Sequence, residues 1–165
     1  MKKTIILTAI VAMLLAPLAV ACDPPTKAPR LTQTIYKTGL VRYHKPTIFR
    51  VEGRPGAAYG LFLSKERAPG IRTAWGVDVP IRLYTETMDL DPLLATTFAL
   101  ANTQYFPNFF GHLDPSGRAW PVINMPAFGW VPQFIGLEFY AVALTTNGYR
   151  YDLRVSNSLP LLISE

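Results

Sequence analysis

The chain has 165 residues, half of them hydrophobic, with a formal net charge of +5 and one cysteine. Its basic residues are scattered without a run of three, which excludes a phosphate-binding stripe and with it nucleic acid as the partner. A single cysteine has no mate for an intramolecular disulfide, so packing must supply the stability.

The first segment, Met1-Lys2-Lys3 followed by Thr4 to Ala21 without a charge, has the positive start, apolar middle and small-residue end of a secretory signal. Pro17 and the acidic, proline-rich continuation favour removal over retention as a membrane helix, which needs roughly 20 apolar residues. Ala19-Val20-Ala21-Cys22 suits two peptidases. Ala-x-Ala fits general cleavage, leaving a free thiol and a secreted chain. Small residues before a cysteine resemble a bacterial lipobox, although Ala19 stands where leucine is usual. The preferred reading is lipidation of Cys22, with acyl chains contributing about 0.8 kcal/mol of membrane binding per buried CH₂. Asp23 resembles the signal that keeps lipoproteins of enteric bacteria in the inner membrane, a rule that does not hold across all bacteria.

The expected organisation is a signal peptide over 1–21, an anchor cysteine and proline-rich stalk over 22–30, and one domain over 31–165. Three prolines in residues 23–30 favour an extended stretch of about 3.1 Å per residue; a plain disordered N-terminus is the alternative. Removal of residues 1–21 leaves 144 residues, a normal size for one core. With Lys2 and Lys3 gone, 14 basic residues face 11 acidic ones, a net charge of +3.

Beyond the stalk, short segments rich in β-branched and aromatic residues are punctuated by Gly, Pro, Asn or Asp, the pattern of an all-β sandwich or barrel. The expected strands are Thr32 to Tyr36, Thr47 to Glu52, Ala58 to Ser64, Val79 to Tyr84, Thr96 to Ala101, Phe109 to Leu113, Arg118 to Ile123, Leu137 to Leu144, Tyr149 to Val155 and Leu159 to Ile163. They fit a two-sheet antiparallel β-sandwich, jelly-roll or immunoglobulin-like, with no amphipathic helix. The stretch from Lys65 to Gly76 reads as a long loop, and no solenoid repeat occurs. Asp114-Pro115-Ser116-Gly117 is expected to turn Phe109–Leu113 into Arg118–Ile123. Asn147-Gly148 is expected to form a tight type I′ turn. In Leu137–Leu144, Leu137, Phe139, Ala141 and Ala143 share one face and Glu138, Tyr140, Val142 and Leu144 the other. Both faces become apolar toward Leu144, as in a central strand whose outer face is covered by a loop, a strand or a partner.

Gly111-His-Leu-Asp-Pro-Ser-Gly-Arg-Ala119, Asn124-Met-Pro126, Gly136 to Leu144 and Val155 to Ile163 together resemble a β-sandwich module found at the ends of large exported bacterial proteins. Gly56 to Ser64 and Val77 to Leu83 fit the same pattern loosely, so the similarity spans about residues 46 to 163. Val142 departs from it, since the module often carries glutamine there. The resemblance implies a fold and no activity.

Catalytic chemistry has little to draw on. His44 and His112 are the only histidines, no Gly-x-Ser-x-Gly elbow exists, and His112 reads as an outward-facing strand residue. Two isolated histidines do not make a zinc site. Asp89 and Asp91, with Glu86 nearby and Asp78 upstream, offer oxygen ligands for calcium, against the plainer reading of a solvated loop opening at Asp91-Pro92. Two carboxylates in a cleft would suit glycoside hydrolysis, and a carbohydrate-active or metal-dependent hydrolase is the alternative function. No cofactor is expected.

The main anomaly is aromatic richness: Trp75, Tyr105, Phe106, Phe109, Phe110, Trp120, Phe128 and Trp130 crowd the loops and middle strands. Core filling explains most such residues, whereas exposed ones stack on sugars or anchor protein interfaces. Trp75, Trp120 and Trp130 are the candidate ligand contacts. The sequence thus points to a non-enzymatic binding or structural module at the bacterial cell envelope. It would be held to the membrane at Cys22, with a protein or carbohydrate ligand.

Overall fold

The computed structural model describes residues 30–33, 39–67, 70–73, 77–82, 90–129, 132–148 and 152–165. The signal, Cys22 and the stalk as far as residue 29 lie outside them, as do Trp75, Asp89 and Trp130. In chain order the strands are β1 (Arg30–Gln33), β2 (Leu40–Arg42), β3 (Pro46–Glu52), β4 (Ala58–Ser64), β5 (Ile71–Arg72) and β6 (Asp78–Val79). After helix α1 (Pro92–Leu100) come β7 (Phe110–His112), β8 (Arg118–Ala119), β9 (Val122–Asn124), β10 (Glu138–Thr146), β11 (Arg154–Val155) and β12 (Leu159–Ser164).

The fold is mostly β, with two principal sheets. The smaller has the order β1-β3-β8, with β9 also on β3; the larger has the order β2-β12-β10-β4-β7, with β11 also on β10. Their inner faces enclose one core, to which β3 gives Phe49 and Val51, β4 gives Tyr59, Leu61 and Leu63, and β10 gives Phe139, Ala141 and Ala143. Strict alternation in β3, where Thr47, Phe49 and Val51 are fully buried and Ile48, Arg50 and Glu52 only partly, is the period of a strand with one wet face. Not every pair is antiparallel as the sequence suggested, because β12 and β2 run parallel, Ile163 opposite Val41. No hairpin joins these two strands, so no turn fixes their relative direction.

The Asp114–Gly117 turn forms, but its outcome differs from the expected hairpin. Asp114 Oδ1 accepts the Ser116 and Arg118 backbone N–H groups at 2.8 and 2.9 Å and the Ser116 hydroxyl at 2.6 Å, and Gly117 N–H donates to the Asp114 carbonyl at 2.8 Å. The strands leaving the turn separate, β7 to β4 in the larger sheet and β8 to β3 in the smaller. The turn is therefore a corner between layers. Residues 53–57 make the matching corner between β3 and β4, and Gly53 N–H donates to the Gly117 carbonyl at 2.9 Å. Pairing stays in one register across both corners, from Pro46↔Asn124 through Glu52↔Arg118 to Gly60↔Phe110. Residues 46–60 and 110–124 are thus one antiparallel ribbon folded over between the sheets, the arrangement in which strands switch layers at bends.

The expected strand from Thr96 to Ala101 is instead the second half of α1. Threonines 96 and 97 carry strand propensity, but each returns its hydroxyl to the carbonyl four residues back, Thr96 to Pro92 at 2.7 Å and Thr97 to Leu93 at 2.9 Å. Asp91 starts the helix as its N-cap, taking Leu93 and Leu94 N–H at 2.9 and 3.0 Å, and Pro92 sits where a missing N–H is harmless. Burial selects this conformation. The outer face of β4 and β10 presents Phe62 and Val142, which cluster with Leu94, Val79 and Ile81 and with the partly buried Phe98, Phe110 and Leu144. Gly60 leaves room for this cover, since a Cβ there would lie 2.7 Å from the Phe110 ring.

The helix also completes a ladder. Beyond Gly60 the β4 edge has no β7 residue opposite it; Leu61 N–H goes to the Phe109 carbonyl at 2.8 Å, Leu63 N–H to Thr97 Oγ1 at 3.2 Å, and Lys65 N–H to Asp91 Oδ2 at 3.1 Å. The Ser64 hydroxyl reaches the same Asp91 oxygen at 3.2 Å.

The expected two-residue turn at Asn147-Gly148 does not form. The last paired residues are Leu144↔Val155 and Thr145↔Arg154, and Gly148 alone of the two has positive φ, +83°. The Asn147 amide instead bonds the Asp152 carboxylate across a wider connection.

Substitutions at Asp91 and Gly117 test these supports. Asp91→Ala strips acceptors from two helix donors, the Ser64 hydroxyl and the Lys65 N–H, and should cost about 3 kcal/mol in urea unfolding, with Asp91→Asn losing less. Gly117→Ala meets both a positive φ of +76° and the Gly53 carbonyl oxygen, whereas Gly136 has φ +85° with open space around it. Gly117→Ala should therefore lose roughly 2–4 kcal/mol and Gly136→Ala only about 1–2, as read by the same titration.

Candidate functional site

The structure divides the aromatic set by environment. Phe106 and Phe109 stack at 4.6 Å in the core, and Phe128 contacts Tyr105 at 4.8 Å, Phe106 at 5.7 Å and Phe134 at 6.0 Å, so this group knits the loop after α1 to the 3₁₀ turns at Met125–Phe128 and Pro132–Phe134. Phe110 joins Phe62 and Phe98 under the helix. Trp120 differs: it is 42% exposed, the one exposed large hydrophobic among the described residues.

Its position follows from the ribbon. Trp120 and Pro121 interrupt the strand between β8 and β9 without shifting the register, and Phe49 N–H still reaches the Pro121 carbonyl at 2.8 Å. Ala119, Pro121 and Ile123 point into the core. Arg118, Trp120 and Val122 therefore share the outer face of the small sheet, as do Ile48, Arg50 and Glu52 of β3. Val122 lies opposite Ile48 and Arg118 opposite Glu52, which sets Trp120 opposite Arg50.

Charge on this face is organised around one carboxylate. Glu52 Oε1 lies 3.2 Å from Arg50 Nε and 3.7 Å from Arg118 Nε, and the Arg118 side chain is 48% exposed. Exposed pairs of this kind contribute about 0–1 kcal/mol each. Their main effect is to tie two guanidinium groups to one carboxylate on the face that carries the indole. Arg118 is anchored from below, since its backbone N–H and carbonyl both bond Asp114. Hydrogen bonds from the Ser116 hydroxyl and the Arg118 N–H hold the exposed Asp114 carboxyl below its ordinary pKa, so this corner keeps its ionised acceptor further into acid than a free aspartate would.

The neighbouring edge is closed. Val122 N–H donates to the Pro107 carbonyl and Asn124 N–H to the Tyr105 carbonyl, both at 2.9 Å, so the loop over 105–107 pairs with the free side of β9. A sheet edge already paired here does not offer itself for strand addition.

The other candidates have structural surroundings. Asp91 is 2% exposed and both its oxygens are engaged as described, while Asp78 is exposed on β6 with Arg72 3.9 Å away. Among the described residues no group of three or more His, Cys, Asp or Glu is placed to hold a metal ion. His112 is exposed on β7 opposite Ala58, and His44 is exposed in the turn after β2. No described helix is long and apolar enough to cross a membrane.

Arg50, Glu52 and Arg118 were not singled out by the sequence. Their signal was alternation in two separate segments, and only the pairing of those segments brings the three together around Trp120.

Comparison with protein-family models, with curated proteins and with solved structures found no match.

Tyr59 supports the loop that closes the edge. Its hydroxyl donates to the Asn108 carbonyl at 2.5 Å, and burial pushes its pKa up to about 12. Below pH 10 both folded and unfolded states keep the phenol proton. Between pH 10 and about 12 the unfolded chain ionises first, so stability falls as pH rises. Urea titrations from pH 9 to 12 should show this loss, and Tyr59→Phe should show a shallower alkaline decline than the parent.

Proposed function

We propose that the chain is a non-enzymatic binding module displayed at the bacterial cell envelope, lipid-anchored through Cys22 and presenting the outer face of its small sheet around Trp120. The observation that carries the binding reading is Trp120 itself. A sandwich with enough apolar residues to fill a core leaves this large indole on a wet face, on the same side of the sheet as the Arg50–Glu52–Arg118 ion pairs, where burial would have been favourable. The two-sheet domain is proposed to be a β-sandwich of the jelly-roll or immunoglobulin-like kind, related to the module found at the ends of large exported bacterial proteins.

The anchor reading rests on the uncharged segment over 4–21, the small residues before Cys22 and the lack of any second cysteine. β1 begins at Arg30 and pairs with β3, the strand that carries Arg50 and Glu52. A chain tethered at Cys22 would therefore hold the Trp120 face within reach of the surface that anchors it. At most about 3.6 Å per residue separates the tether from β1.

Two measurements test the reading. Mass spectrometry of the processed N-terminus from native membranes should find a diacylglyceryl group on Cys22, and Cys22→Ser should release the chain; an unmodified Cys22 in the medium defeats the anchor. A photo-crosslinking residue at position 122 should capture an envelope component in cells, while one at exposed position 65 should not. Equal capture at both, or none at 122, defeats the binding face.

A further inference from the structure

We propose that the Trp120 face recognises an anionic glycan, with a sugar ring stacked on the indole and a carboxylate or phosphate of the same chain on Arg118. This inference deepens the binding reading above and rests on it.

Area is the first argument. A stable protein interface buries about 800 Å² on each partner around several apolar anchors. A tryptophan offers 150–250 Å² when fully covered, so an indole that is 42% exposed presents on the order of 100 Å². Trp120 is the exposed large hydrophobic of the described residues, and its outward neighbours on the same strands are Val122 and Ile48, both already partly buried. Among the described residues this face thus offers a single apolar anchor, which suits one ring of a small or chain-like ligand.

Charge is the second. Arg118 meets Glu52 through Nε at 3.7 Å, and Glu52 is closer to Arg50, at 3.2 Å. One carboxylate thus lies between two guanidinium groups, and the more exposed of them is the one next to the indole along the strand. Residues two apart on a strand project from the same face about 6.5 Å from each other. A guanidinium at that spacing presents a planar fork of N–H donors matched to a carboxylate or phosphate. A neutral sugar would use the indole and leave this fork idle; an anionic one uses both.

Rigidity is the third. Arg118 is fixed at its backbone by Asp114, Pro121 is fully buried on the inner side, and the sheet edge beside them is paired with residues 105–107. A preorganised surface loses little freedom on binding, which lets a small contact area hold a ligand.

The test uses the full processed chain, titrated with hexagalacturonate as the anionic probe and maltohexaose as the neutral one, by calorimetry and tryptophan fluorescence. Hexagalacturonate should bind at least tenfold more tightly than maltohexaose, and binding should weaken as salt is raised from 20 to 300 mM. Trp120→Ala should weaken it at least tenfold with thermal unfolding preserved. Arg118→Gln, which keeps the indole, should remove most of the salt dependence and leave the maltohexaose affinity unchanged. Lys45→Gln, exposed in the turn before β3, should change nothing. A folded chain that binds neither sugar, that binds both equally, or whose affinity survives Trp120→Ala overturns the glycan. If position 122 still captures an envelope protein in cells, the binding module stands and the glycan alone is rejected; if it captures nothing, the binding reading falls with it.

Discussion

Gly53 and Gly117 meet backbone to backbone where the two long strands of the molecule bend together. At that point residues 46–60 and 110–124 leave one sheet and enter the other without losing register. A bend in one strand alone would break the ladder and expose unpaired amide groups. Asp114 prevents this, because its side chain satisfies the donors that the turn leaves open. Alignment of the two inner faces, the burial of Phe49 and Val51 against Leu61 and Leu63, and the direction of Trp120 all follow from this shared corner.

A second constraint comes from strands with no polar side. β4 and β10 carry apolar residues on both faces, and water on either would be costly at about 25 cal/mol per Å² of apolar surface. The inner face is met by the opposite sheet. The outer face is met by α1, a helix with threonines at its centre that local propensity disfavours. Its capping aspartate and Thr97 are also the groups that bond the end of β4, so cover for the sheet and completion of its ladder come from the same element. This explains why an aspartate resembling a solvated loop residue is nearly inaccessible.

The outer face of the small sheet, proposed above to bind, is a by-product of the same geometry. Once the ribbon register is set, every second residue of the two strands faces outward, and that face collects Arg50, Glu52, Arg118 and Trp120. Polar residues there need no further explanation in a one-sided sheet. The indole is the exception, and its place on the same face as an Arg-Glu-Arg row is what the proposed recognition rests on.

By itself the sequence determined the class of fold, most strand positions and the chemistry of individual turns. Ala58–Ser64 and Thr47–Glu52 alternate clearly, and Asp-Pro-Ser-Gly makes its turn through local hydrogen bonds alone. The double-sided hydrophobicity of β10 was also legible, and with it the need for an outer cover. Tertiary structure decided the rest, because those outcomes depend on partners distant in the chain. Residues 96–100 became helix since Phe62 and Val142 required an apolar cover; Asp114–Gly117 became a corner since β7 and β8 found different neighbours; β2 joined β12 in parallel, a direction that no turn between them forbade. The same reason holds for the candidate site: Trp120 could be named from composition, but Arg50 and Glu52 reach it only through a register set across some seventy residues of chain.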